Sequence, residues 1–124
     1  MKLRFHDNSL RLRLSQSEVA ELRDEGRVEN TLTFAPGQTL KYSIERGEVS
    51  AVTASISEGA IRVVTPSGTI LGWIASDQTG VEGHTDTLSI LIEKDFQCLH
   101  RDSEEDAGAF PNPLAQRGRV QNHG

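Results

Sequence analysis

The chain has 124 residues, a single cysteine and a formal net charge of −5 at pH 7, with 35% hydrophobic and 25% charged residues. This length fits one domain whose core needs no disulfide or structural metal. The negative charge argues against general binding to nucleic acid or to anionic membranes, which both require clustered cations, and one cysteine is typical of the reducing cytoplasm.

Residues 2–14 predict a β-hairpin with one apolar and one charged face. Leucine and phenylalanine alternate with charged residues on both sides of Asp7-Asn8, a dipeptide that suits a tight turn. The cations of this hairpin are Lys2, Arg4, Arg11 and Arg13. The opening residues lack the apolar region of a signal peptide, and no apolar run along the chain has the length that spans a bilayer.

A helix over residues 16–25 is predicted to follow the hairpin. Ser15 and Glu18 have the spacing of a capping box, and Gly26 suits a left-handed cap at the helix end. Val19 and Leu22 supply a narrow apolar stripe. Because a helix of about three turns is barely stable alone, we expect it to pack against a sheet.

Residues 28–64 predict four strands of an antiparallel meander, because short alternating segments are separated by glycine-containing turns. Residues 65–76 allow two interpretations. The Thr-Pro-Ser-Gly sequence that opens this segment could form a hairpin turn, or its proline could begin a helix over 67–75, which we favour. A polar loop then leads to a final strand, Leu88 to Lys94.

These elements predict an α+β domain over residues 1–101. We expect a bent antiparallel sheet or partly closed β-barrel of about seven strands, with one or two short covering helices. Residues 102–124 contain an acidic run and the sequence Phe-Pro-Asn-Pro, and we expect them to form an arm that is partly disordered at its end. Neither an internal repeat nor a second domain is evident in the sequence.

Several stretches resemble a family of small bacterial proteins of unknown function. They are MKLRFHDNSLRLRLSQSEVAEL at the start, IASDQTGVE after Trp73, and LIEKDFQCL with AFPNPLA near the end, and they cover nearly all of residues 1–115. The resemblance implies a helix leading up to Trp73. It also implies an acidic residue just before Ala-Phe-Pro, where this chain has Gly108. It implies no activity, because the family has no established function.

The segment after the last strand holds the densest set of reactive side chains. Cys98 and His100 would share one face of a strand, and a carboxylate from Glu104 or Glu105 could complete a zinc or iron site. Cys-x-His is a weak signal by itself, and a buried cysteine beside a solvated acidic run is the ordinary alternative. At strand spacing, His100 also lies far from the thiol for a catalytic base. We therefore predict no cofactor, and a metal- or thiol-dependent enzyme centred on Cys98 and His100 is the alternative function.

The charge distribution indicates an interaction function. The hairpin is cationic within an acidic protein, and the C-terminal arm is acidic at Asp102, Glu104, Glu105 and Asp106. Two unrelated solvated surfaces would be the ordinary explanation of these charges. The sharper hypothesis is that the arm docks on the hairpin, within one subunit or across a homodimer, with Phe110 as its apolar anchor. The leading function is therefore a non-catalytic cytoplasmic binding protein, acting through this arm on itself or on an unidentified protein.

The same cations could instead bind a phosphorylated ligand or RNA. RNA recognition relies on exposed aromatic side chains that stack on bases. Phe5 is the aromatic residue among these cations, and alternation places it on the inward face of the hairpin. The sequence therefore argues against nucleic acid as the ligand.

Overall fold

The computed structural model describes residues 1–96, which form eight strands and two helices. In chain order these are β1 (Lys2–His6), β2 (Ser9–Leu14), α1 (Gln16–Glu25), β3 (Arg27–Ala35), β4 (Gln38–Gly47), β5 (Thr53–Ser57), β6 (Ala60–Pro66), α2 (Ser67–Ile74), β7 (Gly80–Thr85) and β8 (Leu88–Lys94). Sheet A has the strand order β1-β2-β8-β7, and sheet B has the order β3-β4-β6-β5. The boundary predicted at residue 101 lies outside the described residues.

The arrangement of the strands differs from the prediction, although the mixture of helices and sheets agrees with it. Eight strands form two mixed sheets, whereas one antiparallel sheet or partly closed barrel of about seven strands was expected. The middle pairs, β2 with β8 and β4 with β6, are parallel. Alternation shows which side chains share a face of a strand, but it does not identify the neighbouring strand. The ambiguous segment is helical, as favoured, and forms α2.

The two halves of the described chain repeat one ββαββ topology. Residues 2–47 supply β1 to β4 around α1, and residues 53–94 supply β5 to β8 around α2. Each sheet combines one hairpin from each half, because β1–β2 joins β7–β8 and β3–β4 joins β5–β6. The topology therefore contains an internal repeat that the sequence does not reveal.

The strand registers make this repeat exact enough to match individual positions. In sheet A, Leu12 of β2 lies beside Ile92 of β8, and in sheet B, Val63 of β6 lies beside Ile44 of β4. All four side chains are buried. Each parallel pair therefore places apolar side chains of both its strands in the core. A position in one sheet can thus be compared directly with the matching position in the other sheet.

The helix ends follow the same repeat. Arg46, near the C-terminal end of β4, donates from Nε to the carbonyl of Leu22 in α1 at 3.2 Å. Lys94, at the equivalent position of β8, donates from Nζ to the carbonyl of Ser76 after α2 at 2.6 Å. Both cations donate to backbone carbonyl groups and complement the negative end of each helix dipole, and the Leu22 carbonyl also accepts from the Gly26 amide at 3.1 Å.

One contiguous core holds both sheets and both helices together. It consists of Leu10, Leu12, Leu14, Leu22, Val28, Ile44, Val52, Val63, Ile70, Trp73, Val81, Ile90 and Ile92. Val52 comes from the loop between β4 and β5, and it packs directly over Gly83 of β7. A side chain on Gly83 would occupy the space of Val52, so this contact brings the two sheets together at the loop.

The predicted capping box of α1 is present, and it includes a charge. Ser15 Oγ accepts from the Glu18 amide at 3.3 Å, and the Glu18 carboxylate accepts from the Ser15 amide at 2.9 Å. The same carboxylate forms an ion pair with the Met1 ammonium. Partial burial raises the pKa of Glu18. The hydrogen bonds from the Met1 ammonium and from Ser15, together with the positive charge of the ammonium, outweigh this effect and lower the pKa below 4.5.

We expect Glu18→Gln to lower the free energy of unfolding by about 1 kcal/mol at pH 7. Glutamine can still accept from the Ser15 amide, so the variant loses mainly the charge. Because the folded-state pKa lies below the unfolded value, this contribution is present above pH 4.5 and is lost as the pH falls through the folded pKa. Urea unfolding at pH 7 and pH 3 measures the change. Glu21→Gln, at an exposed position of α1, is the control, and an equal loss at both pH values would contradict this prediction.

Candidate functional site: the cationic face of sheet A

The outward side chains of sheet A form three rows across its four strands. From the end at which β8 leaves the sheet, the rows are Lys2, Arg13, Glu93 and Gly80, then Arg4, Arg11, Leu91 and Glu82, then His6, Ser9, Ser89 and His84. We call the surface formed by Lys2, Arg4, Arg11 and Arg13 the cationic face. The cations assigned to one face of the predicted hairpin are therefore direct neighbours across β1 and β2.

Two acidic groups neutralise part of the cationic face. Glu93 Oε1 lies 3.0 Å from Arg13 Nε and 3.4 Å from Arg11 Nε, and Asp95 Oδ2 lies 2.9 Å from Lys2 Nζ. The Oε1 atom of Glu93 is thus shared between two guanidinium groups. The cationic face keeps an excess of positive charge at its centre.

Arg4 is the least compensated cation of this surface. It is exposed, it forms no salt bridge with another residue of the 1–96 segment, and it lies directly opposite Arg11. Like charges at directly opposed positions of two strands are destabilising. Arg4 therefore adds nothing to the stability of the hairpin through charge.

Sheet B provides an internal reference for these positions. Arg11 corresponds to Arg62, and the two make the same contact, Arg11 with Glu93 and Arg62 with Glu45. This arginine–glutamate pair belongs to the repeated framework. It is a structural element of both sheets.

The other three cations have no counterpart in sheet B. The registers of the two hairpins match Lys2 with Thr53, Arg4 with Ser55 and Arg13 with Val64. The same strand positions are therefore occupied by uncharged residues in the other half of the molecule. Because the fold forms there without them, its geometry does not require these three cations.

Two shallow recesses flank Arg11 on the cationic face. One, of about 410 Å³, is lined by Arg4, Phe5, His6, Ser9 and Arg11. The other, of about 290 Å³, extends over Ser89 and His84 of the neighbouring strands, and it is also lined by Glu82, whose carboxylate disfavours an anion there. Guanidinium and imidazole groups are donors that bind carboxylate or phosphate oxygens. The first recess can therefore bind an anion by charge-assisted hydrogen bonds.

The two hydroxyl groups of the last row already form contacts within that row. Ser9 Oγ donates to the His6 carbonyl at 2.5 Å, and Ser89 Oγ lies 3.4 Å from His84 Nδ1. The second distance is at the long end for a hydrogen bond, and both groups are exposed. This pair lacks the tight, desolvated geometry of a catalytic serine and its base.

The predicted metal or thiol centre lies outside the described residues. This applies to Cys98, His100, Glu104 and Glu105, and likewise to the predicted interaction residues Asp102, Asp106 and Phe110. Among residues 1–96, no three histidine, cysteine, aspartate or glutamate side chains are placed so that they could hold a metal ion. The metal and thiol site therefore stays a prediction.

An apolar groove between the two sheets was missed by the sequence analysis. It lies between the edge strands β1 and β5, has a volume of about 300 Å³, and is lined largely by apolar atoms. Its lining includes Phe5, Leu10, Ala54, Ile56, Ile61 and Leu88. Phe5 was expected to face inward, but 63% of it is exposed, and 72% of Ile56 is exposed opposite it. Alternation places both on the apolar side of their strands, but no element of the described chain covers that side at the two edges.

A family model described as "Family of unknown function (DUF7009)" matches residues 1–114, which agrees with the resemblance seen in the sequence. No curated protein and no solved structure matches the chain. Within the described part, neither helix has the length and apolar character needed to cross a membrane.

Proposed function

The chain belongs to the DUF7009 family, and since that family has no assigned function, we propose one from the geometry of sheet A. The protein is a non-catalytic binding protein, and its cationic face binds an acidic peptide segment. The proposed ligand is the acidic run of its own C-terminal arm, residues 102–106. We place this protein in the cytoplasm, and the binding needs no cofactor.

The observation that carries this proposal is the asymmetry between the two sheets. Lys2, Arg4 and Arg13 stand where Thr53, Ser55 and Val64 stand in the repeated half. Arg4 is also placed opposite Arg11, at a cost in stability. Charges that the framework does not need, and that repel each other in the free surface, are expected where an anionic ligand compensates them.

The position at which the described chain ends supports the arm as the ligand. β8 leaves sheet A next to the first row of the cationic face, where Arg13 pairs with Glu93 and Lys2 binds Asp95. The step from Phe96 to Asp102 can span roughly 20 Å of extended chain. The second row lies about 7 Å farther along the strands. The acidic run can therefore reach every cation of the face.

Tethering also compensates for the weakness of exposed ion pairs. Each exposed pair contributes only about 0–1 kcal/mol. A ligand on the same chain has an effective concentration in the millimolar range, so several weak pairs suffice to hold it. The same contact made by the arm of another copy would join two protomers, which is the form that a homodimer would take.

The test compares Arg4→Glu with Thr53→Glu, an exposed position of the matched strand β5 that lies outside the apolar groove, in the full-length protein. We expect the amide NMR signals of residues 102–106 to move in Arg4→Glu and to stay in place in Thr53→Glu, because only the first change repels the arm. Raising the salt concentration to about 0.5 M should move the same signals in the wild type, since salt screens exposed charges.

The NMR signals are the appropriate measurement, because the thermal stability responds to two opposite effects. A glutamate at position 4 would face Arg11 and strengthen the hairpin, while the docked arm would be lost. Signals of residues 102–106 that are the same in the wild type, in Arg4→Glu and in 0.5 M salt would show that the proposed docking is wrong. Light scattering on the same samples separates docking within one chain from docking between copies.

A further inference from the structure

The apolar groove between β1 and β5 has no role in the framework or in the contact proposed above. We propose that this groove binds the side chain of Phe110, in the segment Phe110–Pro113 of the same chain. This inference rests on the proposed docking of the arm, and it assigns a second, apolar contact to the arm.

The size of the groove suits one aromatic side chain. Its volume of about 300 Å³ is at the lower end of ligand pockets, which span about 300–1,000 Å³. An aromatic side chain buries about 150–250 Å² of surface, mostly apolar. The floor of the groove is apolar at Leu10, Ile61 and Leu88, and its rims are the exposed Phe5 and Ile56. An aromatic ring between these rims would cover both.

The groove adjoins the cationic face. Phe5 lines the groove and also the recess that contains Arg4 and Arg11. The two surfaces lie on opposite sides of β1, and they meet at its edge and at the turn at Asp7. One ligand that crosses the edge of β1 can therefore contact both.

The order of the two surfaces matches the order of residues in the arm. From the point where β8 leaves sheet A, a chain meets the row of Lys2 first, then the row of Arg4, and then the turn at Asp7 that borders the groove. In the arm, the acidic residues come first and Phe110 follows Asp106 by four positions. Four extended residues span roughly 13 Å, which is enough to pass from the second row around the edge of β1.

The residues next to Phe110 reduce the cost of binding. Pro111 fixes its own φ and restricts the conformation of Phe110 before it, and Pro113 stiffens the segment further. A segment that is already restricted loses less conformational freedom when it binds. Phe110 is thus presented on a stiff segment, as an anchor in a small groove should be.

Covering the groove would also protect two sheet edges. β1 and β5 are edge strands, and each presents a large exposed apolar side chain, Phe5 and Ile56. Exposed apolar edges promote pairing with other chains. An arm of the same chain that lies in the groove removes this hazard in every molecule.

The test uses NMR on the full-length protein, with nuclear Overhauser effects measured between the Phe110 ring and the methyl groups of Ile56 and Leu88. We expect both contacts in the wild type. In Ile56→Ser, which has no methyl group at this position, we expect the loss of the contact to Leu88. Leu32→Ser is the control, because Leu32 is also exposed on an edge strand but lies outside the groove. Phe110→Ala should lower the melting temperature by about 4 °C or more, because it removes a buried ring.

Two outcomes would overturn the inference. The first is the absence of contacts from Phe110 to both methyl groups. The second is contacts that arise only between copies, seen in a mixture of labelled and unlabelled protein, since they would make a second copy the occupant. If the signals of residues 102–106 still respond to Arg4→Glu, only the assignment of Phe110 fails and the proposed function stands.

Discussion

Trp73→Ala is expected to lower the free energy of unfolding by about 3–5 kcal/mol, the largest loss we expect from a single truncation. Trp73 is fully buried in α2 and is the largest side chain of the core. The centroid of its ring lies 5.4 Å from Lys94 Nζ, and at this distance the cation is attracted to the aromatic face. Since domains of this size are stable by about 5–15 kcal/mol, the variant would keep only part of its stability.

Trp73→Phe is the matched comparison, and it should cost much less. Among residues 1–96, the Trp73 Nε1–H group is buried without a hydrogen-bond partner, and phenylalanine removes this unpaired donor while it fills most of the space. Unfolding in urea should be followed by circular dichroism, because both variants lack the only tryptophan of the chain. A loss below about 1.5 kcal/mol for Trp73→Ala would contradict its place in the core.

Gly83→Ala is expected to cost about 3 kcal/mol, at the upper end for overpacked cores. A Cβ atom on Gly83 would lie 2.5 Å from Cβ of Val52, and 3.0 and 3.1 Å from its two methyl groups. Val52 is itself buried at 5% exposure. Neither the loop that carries Val52 nor β7 can move apart without opening the core between the two sheets.

The closest contact predicts which second substitution relieves the clash. Val52→Gly removes the Cβ atom and should reduce the cost of Gly83→Ala, whereas Val52→Ala keeps that atom and should leave most of the cost. Double-mutant cycles in urea unfolding measure both. Gly72→Ala is the control: Gly72 is exposed in α2 with no atom within 4 Å of an added Cβ, so alanine should stabilise the helix by up to about 1 kcal/mol. Equal costs of Gly83→Ala in both Val52 backgrounds would contradict the clash.

Local signals predicted the local structure. The capping box of Ser15 and Glu18 and the glycine cap at Gly26 are present, because these contacts involve residues only a few positions apart. The alternation in residues 2–14 likewise agrees with the β1–β2 hairpin, whose register places Arg4 opposite Arg11. Signals within a hairpin or a single helix turn need no knowledge of the remaining chain.

Pairing between distant strands could not be predicted in this way. The parallel pair of β2 and β8 brings Ser9 beside Ser89 and Leu14 beside Lys94, residues far apart in the sequence, so no local signal specifies it. The groove was missed for the same reason, since Phe5 and Ile56 are exposed only because β1 and β5 are edge strands. The cationic residues could be named from the sequence, but their significance depends on the comparison with sheet B.

The pairing of β2 with β8 determines when sheet A can form during translation. The strands of sheet B lie between residues 27 and 66, so they can pair while the ribosome is still adding the C-terminal strands. In sheet A, β2 cannot pair with β8 until Ser89 and the residues after it have been synthesised, because Ser9 pairs with Ser89. Until then the nascent chain exposes the apolar side of β2 at Leu10, Leu12 and Leu14, which are all buried in the folded protein. Chains that still lack β8 are therefore expected to aggregate more readily than chains in which β8 has paired with β2.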